Sequence, residues 1–266
     1  MNMKGISGYV VNQLKAGRYT FNKDEAEKAL GTHGRALYMA LRRMQLKGWL
    51  AAPLDGFYVI IDPQHQGFGT IPPEWIIDDL AHYEKVDYYV STLSAAMLHG
   101  ASHQKPQRFH VVASHQMRKI ERDGYRMDFF YREHIHPTAW QKMKCPAGYF
   151  HVSTPEMTVY DLMAFNAACP SLDLAATVYT EIGAKLQPDR LAELADTGCR
   201  MPALQRAGWL LDASGWQEKT GRLAERLTAM SSQWQSLRPD RARKGNKNQK
   251  WRIIENAKVE PDIQKS

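Results

Sequence analysis

The chain has 266 residues, of which 44% are hydrophobic and 24% charged, a composition that excludes a disordered or fibrous protein. It contains no run of roughly 18 apolar residues that would span a membrane, and its first residues lack a secretory signal. Cys145, Cys169 and Cys199 are odd in number and widely spaced, which indicates neither a disulfide framework nor a metal site. We therefore expect a cytoplasmic protein with reduced thiols.

The net charge of +7 is unevenly distributed along the chain. Residues 1–60 carry nine Lys and Arg against four Asp and Glu, a net charge of +5. Residues 61–237 carry 17 against 20, and residues 238–252 carry seven against one. Basic segments accumulate nucleic acid by releasing counterions from phosphates. Charge alone leaves open whether either basic end binds DNA or is simply solvated.

Three helices are predicted near the N-terminus. Apolar residues spaced four apart indicate a first helix over residues 3–14. Asn22 and Glu25 fit a capping box that starts a second helix over residues 23–30. A third helix, with Thr32 as its predicted N-cap, follows after a very short connection. This order and spacing are typical of a helix-turn-helix.

The third predicted helix, residues 32–47, has two distinct faces. At 100° per residue, Leu37, Leu41 and Met44 fall on one side and form a stripe that would be buried. The opposite side carries cations, which in a helix-turn-helix would face the major groove of DNA. Residues of the N-terminal turn contact bases, and later cations contact phosphates. The candidate DNA-binding residues are Thr32, His33 and Arg35 for bases, Arg42, Arg43 and Lys47 for phosphates, and Tyr38 and Met39 beside them.

A β-hairpin is predicted after the third helix. Residues 49–52 and 57–61 have the pattern of strands, and Asp55 and Gly56 form the tip of the turn between them. Three helices followed by a hairpin indicate a winged-helix DNA-binding domain over residues 1–61. Two alternatives stay open, a basic face that is only solvated and a winged helix that binds protein.

Residues 62–73 are rich in proline, glycine and polar side chains and are predicted to be a linker. Residues 74–237 would form a mixed α/β domain, in which a small sheet with strands at 109–113 and 126–130 precedes a run of helices. The tetrapeptide at 153–156, Ser-Thr-Pro-Glu, is a strong helix start in which the glutamate would reach back to the cap. The predicted fold class is therefore α+β.

Motifs for catalysis or cofactor binding are scarce. The sequence has no P-loop, GxGxxG, HExxH or GxSxG motif, and none of its ten histidines has metal-ligand spacing. We therefore expect no cofactor, no metal and no enzymatic activity. The less favoured alternative, a metal-dependent nuclease, would use the acids Asp123, Asp128, Glu133 and Glu156 with Lys142 or Lys144.

Several stretches resemble one family in the expected order. They are residues 88–100 (YYVSTLSAAMLHG), 104–109 (QKPQRF), 152–158 (VSTPEMT) with Asp161 and Leu162, 204–211 (LQRAGWLL) and, near the N-terminus, 36–59 ending in GFYV. Together they resemble the AbiE-type antitoxins of the AbiEi family, which are transcriptional regulators of type IV toxin–antitoxin operons. The resemblance spans about residues 5–230. One departure is Pro170-Ser171-Leu172, where a Gly-Gly-Leu-like turn is expected.

The resemblance implies a repressor that binds repeated sites in its own promoter through the N-terminal domain. It also implies that the second domain counteracts a nucleotidyltransferase-like toxin, without requiring a stable complex with that toxin. The alternative from a different class is a stand-alone winged-helix regulator whose second domain senses a ligand or assembles.

Two further segments have candidate roles. Lys105, Gln107 and Arg108 are polar residues in a loop before a strand, a position where function is often carried. Residues 238–266 form a basic segment that we expect to be flexible until bound, except for a short strand near residues 251–254. Whether the basic segment adds phosphate contacts or is only solvated stays open.

Overall fold

The computed structural model describes residues 5–101, 106–230 and 233–260. The first elements are α1 (Ile6–Lys15), β1 (Thr20–Asn22), α2 (Lys23–Leu30), α3 (Gly34–Leu46), β2 (Leu50–Leu54) and β3 (Phe57–Ile60). They are followed by α4 (Ile77–Glu84), β4 (Tyr88–Val90), α5 (Thr92–Leu98), β5 (Phe109–Ala113), β6 (Ile120–Arg122), β7 (Tyr125–Tyr131), β8 (Trp140–Cys145) and β9 (Gly148–Ser153). The last are α6 (Pro155–Ala164), α7 (Leu172–Ile182), α8 (Pro188–Glu193), α9 (Met201–Ala213), α10 (Gln217–Met230), β10 (Gln235–Ser236), β11 (Asn246–Asn248) and β12 (Ile253–Glu255).

This mixture of helices and small sheets confirms the predicted α+β class. Two compact units make up the chain. The first comprises Met1–Tyr89, Val111–Glu133 and Lys142–His151, and the second comprises Val90–His110, His134–Gln141 and Val152–Ser266. The observed division differs from the predicted boundary at residues 62–73, because the first unit also contains β6 and β7. Within the described ranges, no helix is long and apolar enough to cross a membrane.

Local sequence explains where the N-terminal helices begin and end. The Asn22 side chain accepts a hydrogen bond from the Glu25 N–H at 2.8 Å, and Glu25 accepts one from the Asn22 N–H at 2.9 Å, which confirms the capping box. Gly31 ends α2 in the left-handed conformation. The prediction that Thr32 caps α3 is wrong. His33 is the N-cap residue, and the Thr32 hydroxyl donates to the Leu30 carbonyl instead.

The N-terminal elements share one core. It contains eight buried residues, Val10, Phe21, Ala26, Leu37, Leu41, Met44, Leu50 and Ile60. The strand β1, which the sequence analysis missed, pairs with β3 in a sheet of order β1-β3-β2. A strand of three residues is too short for alternating hydrophobicity to reveal it. The sheet and α3 together bury the apolar stripe that the sequence predicted.

A six-stranded sheet has the order β6-β7-β5-β4-β9-β8. β6 and β7 form an antiparallel hairpin, whereas β4 and β9 pair in parallel. The sequence analysis missed β4, β6 and β8. All three residues of β4 are buried, and β8 reads WQKMKC, so neither shows the alternation of a half-buried strand.

The described part of the C-terminal segment, which ends at residue 260, forms regular structure, including β11 within the stretch 238–250 that was predicted to be flexible. β12 pairs in parallel with β10 and antiparallel with β11, which forms a three-stranded sheet. The buried Trp251 side chain anchors the segment on α9, where Gly208 leaves room for the indole ring. The buried Trp251, which lies just after the basic stretch, thus anchors a predominantly polar segment.

Candidate functional site

The helix α3 separates an apolar face from an exposed face. Leu37 and Leu41 are at most 1% exposed, whereas Tyr38 is 59% and Met39 is 47% exposed. Large hydrophobic side chains are normally covered, so two adjacent ones in solvent mark a candidate contact surface. They lie among the cations that the sequence analysis selected.

The cations of α3 and its C-cap form no ion pair with any residue that the structure describes. Arg35, Arg42, Arg43 and Lys47 are exposed. Among the residues that the structure describes, none of the four side chains forms an ion pair or a hydrogen bond. Four solvated positive charges along one helix create a local field that attracts a polyanion. The positive charge of this face therefore comes from the side chains of α3 and its C-cap.

The two residues before α3, Thr32 and His33, already have side-chain contacts within the protein. The Thr32 side chain is half-buried, and its hydroxyl already donates to the Leu30 carbonyl at 3.3 Å. His33 is exposed, and its Nδ1 atom lies 3.5 Å from a carboxylate oxygen of Glu27. Arg35 is the first cation of the helix with an unengaged side chain in the described part of the chain.

The tip of the β2–β3 hairpin is tied to the rest of the first unit. Arg122 donates from Nη1 to the Asp55 carboxylate at 2.5 Å, and the Tyr83 hydroxyl donates to the Asp55 carbonyl at 2.9 Å. The Gly56 carbonyl accepts from the Lys23 N–H at 2.8 Å. Sequence analysis missed Tyr83 and Arg122 because each lies far along the chain from its partner.

The cation Arg42 lies at the edge of the exposed face of α3. It borders a cavity of about 340 Å³ whose wall also contains Gln45, Phe68 and Asp123. Phe68, from the predicted linker, is 81% exposed. Asp123 thus lies on the same cavity as Arg42, whereas Arg35, Arg43 and Lys47 do not line it.

The loop predicted as a functional site is only partly described. Lys105 lies outside the described residues. Gln107 is exposed and Arg108 is half-buried just before β5. A role for this loop stays a prediction.

Ser91, Thr92, Ser94, His110 and Asp161 form a buried polar network in the second unit. Most of them lie in the stretches that resemble the AbiEi family. Ser91 donates to the Asp161 carboxylate at 2.6 Å, and the oxygen of Thr92 lies 2.7 Å from Nδ1 of His110. The Ser94 hydroxyl accepts from the His110 N–H at 2.9 Å. Every member of this network is buried. Ser91 is the N-cap residue of α5, but its hydroxyl donates to Asp161 and makes no capping bond.

Thr92 adopts an unusual backbone conformation within this network. Its φ of +50° lies in the left-handed region, which β-branched residues rarely adopt and which costs about 1–3 kcal/mol. The hydrogen bond to His110 offsets part of that cost. The network is sealed from solvent, so it positions α5 against β5 rather than contacting a ligand.

Glu156, one of the acids of the nuclease alternative, has a structural partner. Thr154 caps α6 by accepting from the Met157 N–H at 3.2 Å, while the buried Glu156 accepts from the Gln187 N–H at 2.8 Å. The prediction that Glu156 reaches back to the cap is therefore wrong. Within the described ranges, no group of three or more His, Cys, Asp or Glu is placed to hold a metal ion.

Comparisons with known proteins match part of the chain to a family and its fold to a solved structure. Residues 89–213 match a family model described as the AbiEi antitoxin C-terminal domain. The crystal structure of the RV2827C protein from Mycobacterium tuberculosis is similar over 94% of this chain and 90% of that one, with a TM-score of 0.65 and 16% sequence identity. That likeness shows a shared fold. No curated protein matches the chain.

Proposed function

We propose that this chain, which is similar to the AbiEi antitoxins through the match of residues 89–213, represses its own promoter by binding DNA through residues 1–61. The order of the N-terminal elements supports a winged helix-turn-helix. α2 and α3 are joined by a short turn, and β1, β3 and β2 form a small sheet behind them. In this arrangement α3 is the recognition helix and the β2–β3 hairpin is the wing.

The observation that carries the proposal is the exposed cationic face of α3. Arg35, Tyr38 and Met39 occupy its N-terminal half, the part that reaches base edges in a helix-turn-helix. Arg42, Arg43 and Lys47 follow along the helix and would bind phosphates. Arg35 and Arg42 are seven residues apart, so their Cα atoms are separated by about 10 Å along the axis. That distance suits one helix lying along the major groove.

The wing has a secondary role in this proposal. Its tip carries an acid, Asp55, which is held by Arg122 and Tyr83. A fixed, charge-neutralised tip supplies little attraction for the minor groove. The affinity therefore comes mainly from α3.

The test is a fluorescence anisotropy titration of the full chain against the DNA upstream of its own gene, at about 50 and 200 mM salt. We expect binding that weakens at the higher salt, with repeated sites occupied in succession. The variant Arg35→Ala/Arg42→Ala should bind at least about 10-fold more weakly. The matched control is Arg190→Ala/Lys258→Ala, which removes the same charge from exposed positions of the second unit.

The outcomes distinguish DNA binding through α3 from binding that depends only on the net positive charge of the protein. If both double variants lose equal affinity, net charge rather than α3 drives binding. If the Arg35/Arg42 variant binds as the parent does, α3 is not the recognition helix. The full chain is required, because the first unit includes residues well beyond position 61.

The antitoxin role has its own test. The proposed partner is a nucleotidyltransferase-like toxin encoded beside this gene, which need not form a stable complex. Co-expression of the full chain should restore growth that the toxin arrests. The Arg35→Ala/Arg42→Ala variant should restore growth equally well, because the matched domain lies outside α3. A loss of rescue in that variant would show that the two activities share one surface.

A further inference from the structure

The second unit contains a cavity of about 290 Å³ that the proposed function does not use. The end of α6, the turn before α7, one residue of α9 and the segment after β10 form its wall. Most of its lining is apolar and comes from Leu162, Met163, Cys169, Pro170, Leu172 and Leu237. A cavity of this volume is near the lower limit for small-molecule sites, about 300 Å³.

Arg206 places an uncompensated positive charge on this wall. Its Nε atom is buried and has no hydrogen-bond partner among the residues that the structure describes. Burial lowers the pKa of Arg206, and the positive charge of Arg200 lowers it further, with no carboxylate acting in the opposite direction. A guanidinium nevertheless stays protonated in proteins. The free protein therefore holds a partly desolvated cation beside an apolar cavity.

The other charges at the cavity cancel one another. Arg238 donates to Asp240 from Nε at 2.8 Å and from Nη2 at 2.7 Å. This bidentate pair holds the pKa of Asp240 at about 2, so the carboxylate stays ionised and matched to Arg238. What remains at the cavity is the single positive charge of Arg206. A complementary ligand carries one negative charge.

We propose that this cavity binds a small organic carboxylate, whose carboxylate group pairs with Arg206 and whose apolar body packs against Leu162, Met163 and Leu237. A carboxylate matches the two-pronged geometry of a guanidinium. Inorganic phosphate lacks an apolar part, and a nucleotide exceeds both the volume and the single charge of the site. The site lies in the matched antitoxin domain, so its ligand would act on that domain rather than on α3.

The test is a ¹⁹F NMR titration of the full chain, without DNA, using fluorobenzoate and trifluorobutanoate as aromatic and aliphatic probes. We expect saturable binding of at least one probe below about 5 mM, and at least about 10-fold weaker binding of the corresponding neutral amide. Arg206→Met should abolish the difference between acid and amide. Arg206→Lys should retain part of it, and Arg190→Met, on an exposed residue, should change nothing.

Thermal unfolding without ligand supplies an independent readout. Arg206→Met should raise the unfolding midpoint, because it replaces a partly buried cation, whose Nε atom has no partner in the described residues, with an apolar side chain of similar length. A lower midpoint would assign the guanidinium a structural role and overturn the proposal. Equal affinity for acid and amide, or no saturable binding of either acid, would overturn it as well. These results are independent of DNA binding, so they do not bear on the proposed repressor function.

Discussion

The Asp123 carboxylate accepts a hydrogen bond from the backbone N–H of Ala52 at 2.8 Å, which joins the β6–β7 turn to the strand β2. The pairing of β2 with β3 is irregular between Ala51 and Leu54, where Pro53 has no N–H to donate. Ala52 is buried, so its N–H would otherwise lack a partner in this irregular stretch. Asp123 thus completes the hydrogen bonding of the hairpin from outside it.

Removing this carboxylate should destabilise the first unit. Asp123→Ala leaves a buried N–H without a partner, and it places alanine at a φ of +49°, so we expect a loss of about 1–3 kcal/mol in the free energy of unfolding. Asp123→Asn keeps an acceptor and tolerates that φ, and it should lose less than half as much. Urea unfolding measures both, and hydrogen exchange should accelerate at the Ala52 amide in the alanine variant alone. Equal losses in the two variants would contradict the role assigned to this bond.

The glycine of α9 should be intolerant of a methyl group. A Cβ atom on Gly208 would lie 2.1 Å from the Trp251 ring, and the buried indole has no room to move away. We expect Gly208→Ala to destabilise the protein by about 1–3 kcal/mol and to shift Trp fluorescence. Gly221→Ala, in α10, is the matched control because its Cβ meets nothing within 4 Å. That control should gain up to about 1 kcal/mol from helix propensity, and a gain in both variants would refute the contact.

His99 should make stability depend on pH. Its Nε2 atom lies 2.8 Å from the Ser153 carbonyl, and burial, with a contribution from Lys185, lowers the pKa of the folded state. The unfolded chain, with a pKa near 6.5, then binds more protons than the folded one as pH falls below that value. The contribution of His99 is therefore fully present above about pH 6.5 and is lost as pH falls toward the lowered pKa.

The measurement is urea unfolding of the parent and of His99→Gln between about pH 7.5 and 5.5. Glutamine keeps an N–H donor and does not titrate, so its stability should fall less over this range. His151 also has a lowered pKa, but it is present in both proteins and cancels in the comparison. If the free energies of unfolding of the two proteins change in parallel with pH, His99 contributes nothing to the pH dependence of stability.

Two cations of α3, Arg43 and Arg35, should differ in how their removal changes the salt dependence and the sequence preference of DNA binding. Arg43→Ala removes a predicted phosphate contact and should reduce the slope of log affinity against log salt by about one, with similar weakening for all sequences. Arg35→Ala should instead reduce the preference for the promoter over unrelated DNA. Competition titrations at several salt concentrations distinguish the two. If Arg35→Ala lowers affinity for every sequence equally, Arg35 contacts phosphate rather than bases.

Short-range features of this protein were predictable from sequence. The capping box of Asn22 and Glu25 involves residues three apart, and the buried stripe of α3 repeats every three or four residues. The antitoxin family was also recognisable, and the family match at residues 89–213 confirms it. Each of these signals lies within one element or one short motif, where helix geometry alone fixes which residues meet.

Long-range features were decided only by the tertiary structure. The hairpin tip is held by Arg122 from 67 positions away, and Ala52 is satisfied by Asp123 from 71 positions away. Folding buries the Nε atom of Arg206 beside an apolar cavity, where none of the described residues accepts a hydrogen bond from it. The sequence by itself determined the helices, their faces and the family. The strands β1, β4, β6 and β8, the partners of Asp55 and the burial of Arg206 Nε depended on how distant segments pack. A contact across a long loop leaves no periodic trace in the chain.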